Sequence, residues 1–201
     1  VTGIDADGTV DLGFVVGSLT DLAGNGFSST IGSEETYTVD VTDFDITSIA
    51  RQSPGTTSTN ATSVTFRVTF SEDLNTAPTT ANFNVTGGGS AGVNSVTEIT
   101  GTSVYDVEVT GIDADGTVDL GFVVGSLTDV LGNGFSSTIG SEQTYDIDQN
   151  TETPTLTSPV ASGTDNGTIA VDFIIPEDAL AGSVTLTFTQ TGGSNDNQDP
   201  H

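Results

Sequence analysis

The side chains in this sequence that could do chemistry are carboxylates. Its 201 residues include 28 Asp and Glu, with Arg51 and Arg67 as the only strong bases, no Cys, and a single histidine, His201, in a polar tail. With one histidine so placed and no thiol, neither a Ser-His-Asp nor a Cys-His relay can be assembled. Paired carboxylates can hydrolyse glycosides, but that chemistry needs one unrepeated cleft. These acids sit in turns that recur along the chain, so no enzyme is expected. What crowded carboxylates do offer is about six to eight hard oxygens at flexible spacing, the ligand set that calcium takes. The formal charge of −26 points the same way, because it gathers cations and repels phosphate backbones and anionic headgroups. Nucleic acid is excluded as a partner on these grounds, and calcium is the expected cofactor.

The elements that must position these acids follow from a repeat. The segment Val1-Thr2-Gly3-Ile4-Asp5-Ala6-Asp7-Gly8 returns at Val109-Thr110-Gly111-Ile112-Asp113-Ala114-Asp115-Gly116, an offset of 108 that persists almost unchanged to Asp40 and Asp148. An offset near 100 residues is the size of one immunoglobulin-type sandwich. The ruler divides the chain into the C-terminal part of one unit (1–41), a complete unit (42–149), the N-terminal part of another (150–193) and a flexible polar tail (194–201). Both ends look cut from a longer array. No targeting segment is visible, and no apolar run nears the roughly 18 residues needed to cross a bilayer, so direct membrane insertion is not expected.

Within the complete unit, period-two alternation predicts seven strands: Ile46–Ile49, Val64–Phe70, Phe83–Val85, Val93–Ile99, Val104–Val109, Val118–Val124 and Thr144–Asp148. Val93, Ser95, Thr97 and Ile99 are expected on one face of the fourth. Gly, Pro and Asn clusters fall between the strands, and no window carries a helical period. The expected fold class is all-β: tandem immunoglobulin-like β-sandwiches with the terminal units incomplete. Phe66, Phe70, Phe83, Tyr105, Phe122 and Tyr145 follow the buried face and are read as core. The connection from Ser126-Leu127-Thr128-Asp129 to Gly132-Asn133-Gly134-Phe135 is read as a long loop, shaped by hydrogen bonds from Asp and Asn side chains to backbone.

Four motifs carry a family resemblance: Phe70-Ser71-Glu72-Asp73, Val109-Thr110-Gly111-Ile112 with Asp115-Gly116-Thr117-Val118, Leu127-Thr128-Asp129 with Gly132-Asn133, and Tyr145-Asp146-Ile147-Asp148. Together they resemble the bacterial Ig-like repeats of large surface adhesins and related extracellular proteins, closely over 1–149 and loosely over 150–193. The resemblance implies a secreted or cell-surface location and a stalk that displays other domains. Its partners are then the neighbouring repeats, and a glycan or protein on another cell is met through other domains of the parent protein. Ile174-Ile175-Pro176-Glu177-Asp178 departs from the pattern and looks like a different subtype.

Sandwich geometry brings acids together where units meet. At the first joint these are Asp5 and Asp7 from a loop, Asp40, Asp43 and Asp45 from the linker, and Glu72 and Asp73 from the next unit. The same roles at the second joint fall to Asp113, Asp115, Asp148 with Asn150, and Glu177 with Asp178. Calcium at these joints is one reading; turn chemistry is the plainer account of the same residues, since Asp-Gly favours tight turns. Asp113 to Asp119 is not an EF-hand, lacking both the twelfth-position Glu and flanking helices. The functional expectation is a structural spacer repeat, rigidified between domains by calcium. The alternative is a binding module that recognises a glycan or protein through sandwich loops. Loops that persist between the two copies favour the spacer.

Overall fold

A computed structural model describes residues 1–13, 19–27, 35–101, 103–160, 163 and 167–189. The polar tail 194–201, with His201, lies outside the described residues. The chain divides into two compact units, Val1–Gln149 and Asn150–His201. Residues 1–41 therefore group with 42–149. Among the described residues every regular element is a strand, apart from one 3-10 turn at Thr80–Asn82.

The first unit opens with a hairpin, β1 (Gly8–Asp11) against β2 (Thr36–Val39). A sandwich follows. Its strands are β3 (Phe44–Ser53), β4 (Ser58–Thr59), β5 (Ser63–Phe70), β6 (Phe83–Thr86), β7 (Gly92–Thr100), β8 (Val104–Thr110), β9 (Gly116–Phe122), β10 (Phe135–Glu142) and β11 (Tyr145–Ile147). One sheet runs β10-β3-β5-β8-β7 and the other β4-β11-β9-β6. In the second unit β12 (Thr155–Ser158) pairs with β13 (Asp172–Ile174).

Alternation builds the sandwich core. In β5, Val64, Phe66, Val68 and Phe70 are buried, while Thr65, Arg67 and Thr69 on the other face are half-buried. Each buried side chain of this size contributes about 1.5–3 kcal/mol. Rings from the two sheets meet edge to face, Phe66 on Tyr145 at 5.0 Å and Phe70 on Phe122 at 5.6 Å between centroids. The Tyr145 hydroxyl lies 2.8 Å from Pro54 O and 2.9 Å from Thr65 O, to which it donates, and it accepts the Gln52 N–H at 3.1 Å. On the outer face Arg67 grips Asp106 across the strands through two bonds of 2.8 and 3.0 Å.

Two expectations need correction. Phe135, expected to end the long loop, opens a strand from Phe135 to Glu142 that none of the seven expected strands covers and that pairs in parallel with β3. Its alternation is broken between Phe135 and Ile139, where the register shifts and Ser137 takes a positive φ of 72°. In β7 the single-face pattern also fails. A register shift between Val93 and Ser95 turns Val96 onto the core beside Val93 and leaves Ile99 exposed.

Candidate metal centre

The site begins with a loop. After β9 the chain turns at Asp129, a buried acid whose carboxylate accepts the N–H groups of Leu131, Gly132 and Asn133 at 2.7–2.9 Å and the Asn133 amide at 2.9 Å. Burial alone raises its pKa, but these donors outweigh it and hold the group below the usual carboxylate range. The loop is pinned along the segment that follows β5: Asn75 N–H donates to Thr128 O at 3.0 Å and Val130 N–H to Asp73 O at 3.2 Å. Asp129 is thereby carried to Glu72, 57 positions earlier in the chain (129 − 72).

The third acid arrives from the linker. Asp7 accepts Val41 N–H at 2.8 Å and the Thr42 hydroxyl at 2.6 Å, bonds that lower its pKa and fix the path of the chain leaving β2. The Asn133 amide also donates to Asp40 O at 3.1 Å. One carboxylate oxygen each of Asp40, Glu72 and Asp129 then lies within 4.8 Å of the others. Glu72 responds as crowding requires. Desolvation first, then the charges of Asp40 and Asp129, push its pKa above the ordinary value. The three acids face a recess of about 430 Å³ that Thr38, Asp73, Val130 and Leu131 complete.

The donor set suits a hard divalent cation. All three side chains are carboxylates, and oxygens within 4.8 Å of one another are close enough to share a cation whose bonds to oxygen are about 2.3–2.6 Å. No family model matches the chain, and no curated protein matches it. Among solved structures, the N-terminal part of the bacterial S-layer protein SbsC is similar at a TM-score of 0.32 and 22% identity, covering 57% of this chain and 25% of that one. The chain thus spans about a quarter of that protein's solved length, and the likeness is too slight to assign a fold or a role.

Of the acids singled out at the first joint, Asp40 and Glu72 enter the cluster, Asp7 braces it through its bonds to Val41 and Thr42, and Asp73 lines the recess. Asp43 and Asp45 turn elsewhere, Asp43 accepting Gly134 N–H at 3.0 Å and Asp45 bonding the Ser136 hydroxyl, both at the entry to β10. Asp5 is exposed outside the cluster. The second joint's acids are divided between the two units. In the first, Asp113 accepts Ser90 N–H at 2.8 Å, which lowers its pKa; Asp115 accepts Gln149 N–H at 2.7 Å, the counterpart of Asp7 with Val41; Asp148 is exposed. In the second, Glu177 accepts Glu152 N–H at 2.6 Å and Asp178 lines a groove. Asp129 is the member that sequence reasoning placed only in loop support. Its copy Asp21 bonds Ala23, Asn25 and the Asn25 amide in the same way, so a local role was readable and the long-range one was not.

Proposed function

We propose that residues 42–149 are an immunoglobulin-like spacer domain of a bacterial cell-surface protein, one of a tandem series whose joint with the preceding repeat is stiffened by calcium. The observation that carries this reading is the meeting of Asp40, Glu72 and Asp129, which come from the linker, the segment after β5 and the long loop of the sandwich. A cation between them ties the joint to the domain, and without one the like charges push these elements apart. The strand order supports the fold part of the reading. With β3, β5, β7 and β8 in one sheet and β6, β9 and β11 in the other, the arrangement corresponds to the ABED and CFG sheets of a constant-type immunoglobulin domain. The repeat reading is supported by pairing: β1–β2 matches β9–β11 residue for residue, Gly8 with Val39 as Gly116 with Ile147. The proposed role is mechanical and extracellular, its partners are adjacent repeats, and it includes no catalysis.

Thermal unfolding in excess calcium and in chelator, at fixed moderate ionic strength, tests the proposal. A ligand that binds only the folded chain stabilises it by about 2.7 kcal/mol when its free concentration is 100 times Kd. Calcium should therefore raise the melting temperature of the native chain, and the double variant Glu72→Ala, Asp73→Ala should lose that rise. Equal melting temperatures with and without calcium in the native chain would remove the ion from the proposal and leave a plain sandwich.

A further inference from the structure

One dipeptide of the long loop carries covalent chemistry of its own. Asn133-Gly134 joins a side-chain amide to a residue whose backbone nitrogen no side chain shields. In an open chain such a step deamidates, and Asn counts among the thermolabile residues. Base removes the Gly134 amide proton, and the nitrogen attacks Asn133 Cγ. The Cγ–Nδ2 bond breaks, and Nδ2 leaves as ammonia with a proton returned to it. Water then opens the cyclic imide at one of its two C–N bonds, giving aspartate when the Cγ–N bond is cut and isoaspartate when the backbone one is. The net change is one water in and one ammonia out.

The fold engages both reacting groups. Asn133 Nδ2, the leaving group, donates to Asp40 O at 3.1 Å and to Asp129 Oδ2 at 2.9 Å, and both bonds must be given up when it departs. The attacking nitrogen is held as well: Gly134 N–H donates to Asp43 Oδ1 at 3.0 Å, while Gly134 O accepts Phe44 N–H at 2.8 Å. A carboxylate on that N–H opposes loss of its proton, because deprotonation would set two negative charges side by side. Asp40 and Asp43 belong to one short stretch, the linker between β2 and β3. A single segment thus covers the leaving group and the nucleophile of the same step.

We propose that Asn133-Gly134 is a latent deamidation site that the 40–43 linker keeps closed, and that loss of the linker contact converts Asn133 irreversibly to an acid. Conversion also prevents the linker from closing again. The new carboxylate has no N–H for Asp40 O and sets an anion against the Asp129 carboxylate, which its amide had served as a donor. The site needs no cation, so it stands or falls apart from the calcium reading.

Peptide mass mapping of the full chain, incubated at mildly alkaline pH both folded and in urea, tests this by the fraction of acid at position 133. The folded rate should be at least about tenfold below the rate in urea, the factor being set by how seldom the loop opens. Asp43→Ala should raise the folded rate several-fold and leave the rate in urea unchanged. Asp43→Asn, which keeps an acceptor for Gly134 N–H without the charge, should fall between Asp43→Ala and the native chain. Gly134→Ala should slow the reaction in urea by crowding the attacking nitrogen; its added carbon lies 3.7 Å from Asp43 Oδ1, an ordinary contact, so the fold is kept. Asn133→Asp, which carries the product side chain from the start, should melt below the native chain. Thermal unfolding of each Asp43 variant reports that the sandwich is intact at the incubation temperature. Equal rates folded and in urea, folded Asp43 variants that react no faster than the native chain, or an Asn133→Asp chain that melts with the native one would each overturn the inference.

Discussion

Glu72→Gln should stabilise the calcium-free protein and abolish its response to calcium. In the folded chain, desolvation and the charges of Asp40 and Asp129 hold the Glu72 carboxyl above its ordinary pKa. The folded state thus binds that proton more tightly than the unfolded state does. Its stabilising contribution is complete below the ordinary carboxylate range and is lost as pH rises through the folded-state value, so near neutrality the ionised group is a net cost. With oxygens within 4.8 Å, each pair of charges repels by about 0.9 kcal/mol at the dielectric of water and about 3.5 kcal/mol at an effective dielectric near 20. Glu72 is only half-buried, so the lower figure governs, reduced further by salt. Removing its two repulsions should therefore contribute roughly 1–2 kcal/mol. For a sandwich of this size that is about 4–8 °C in melting temperature. The assay is calorimetry in chelator at pH 7 and then at successively lower pH, where the native protein should recover the difference as Glu72 takes up its own proton. In calcium the order should invert, because the native chain keeps a ligand that the variant lacks. A variant that melts at or below the native temperature in chelator would refute the crowding argument, whatever calcium does.

Two further substitutions probe the scaffold around the site. Tyr145→Phe removes the hydroxyl that Pro54 O, Thr65 O and Gln52 N–H share, and should cost about 1–3 kcal/mol, read as a lower urea midpoint with an unchanged slope. Gly87→Ala should cost about 2 kcal/mol or more in the same titration, because Gly87 has φ of 86° and a Cβ there would overlap Thr117 O. Gly92→Ala, where the added carbon meets nothing, is its control and should stay within about 0.5 kcal/mol.

The strands that bury one clean face were legible from period two alone. Val64 to Phe70, Val104 to Val109 and Tyr145 to Ile147 place their apolar residues in the core as the alternation demands. The pattern fails where the backbone bulges, since one extra residue moves everything after it to the other face. That is why Val96 is turned onto the core and Ile99 left out, and why Phe135 and Ile139, four apart around Ser137, did not read as one strand. The site was half legible. Asp40 and Glu72 flank recognisable strand ends, and Glu72-Asp73 recurs as Glu177-Asp178. Asp129 carries an equally clear local signal, its bonds to Leu131, Gly132 and Asn133, but nothing local says that its loop lies along Leu74. Asp43 and Asp45 were drawn away for the same reason, because their partners belong to β10, whose pairing with β3 joins residues about 90 positions apart.

The parallel pairing at the edges of the sandwich sets how it meets a pull along its length. The strands entering it, β3 and β4, lie beside those leaving it, β10 and β11, and run the same way. Gln143 N–H to Ile49 O, Asp146 N–H to Thr57 O and Asp148 N–H to Thr59 O stitch the two together at 2.9–3.0 Å. Tension applied to the two ends of residues 42–149 draws these strands past one another lengthwise, so the bonds share the load and must fail together. The β1–β2 hairpin, pulled apart from its open ends, would instead surrender its bonds one at a time. Within residues 42–149 the entering and leaving strands thus form a clasp, whereas the antiparallel β1–β2 pairing taken by itself opens as a zipper.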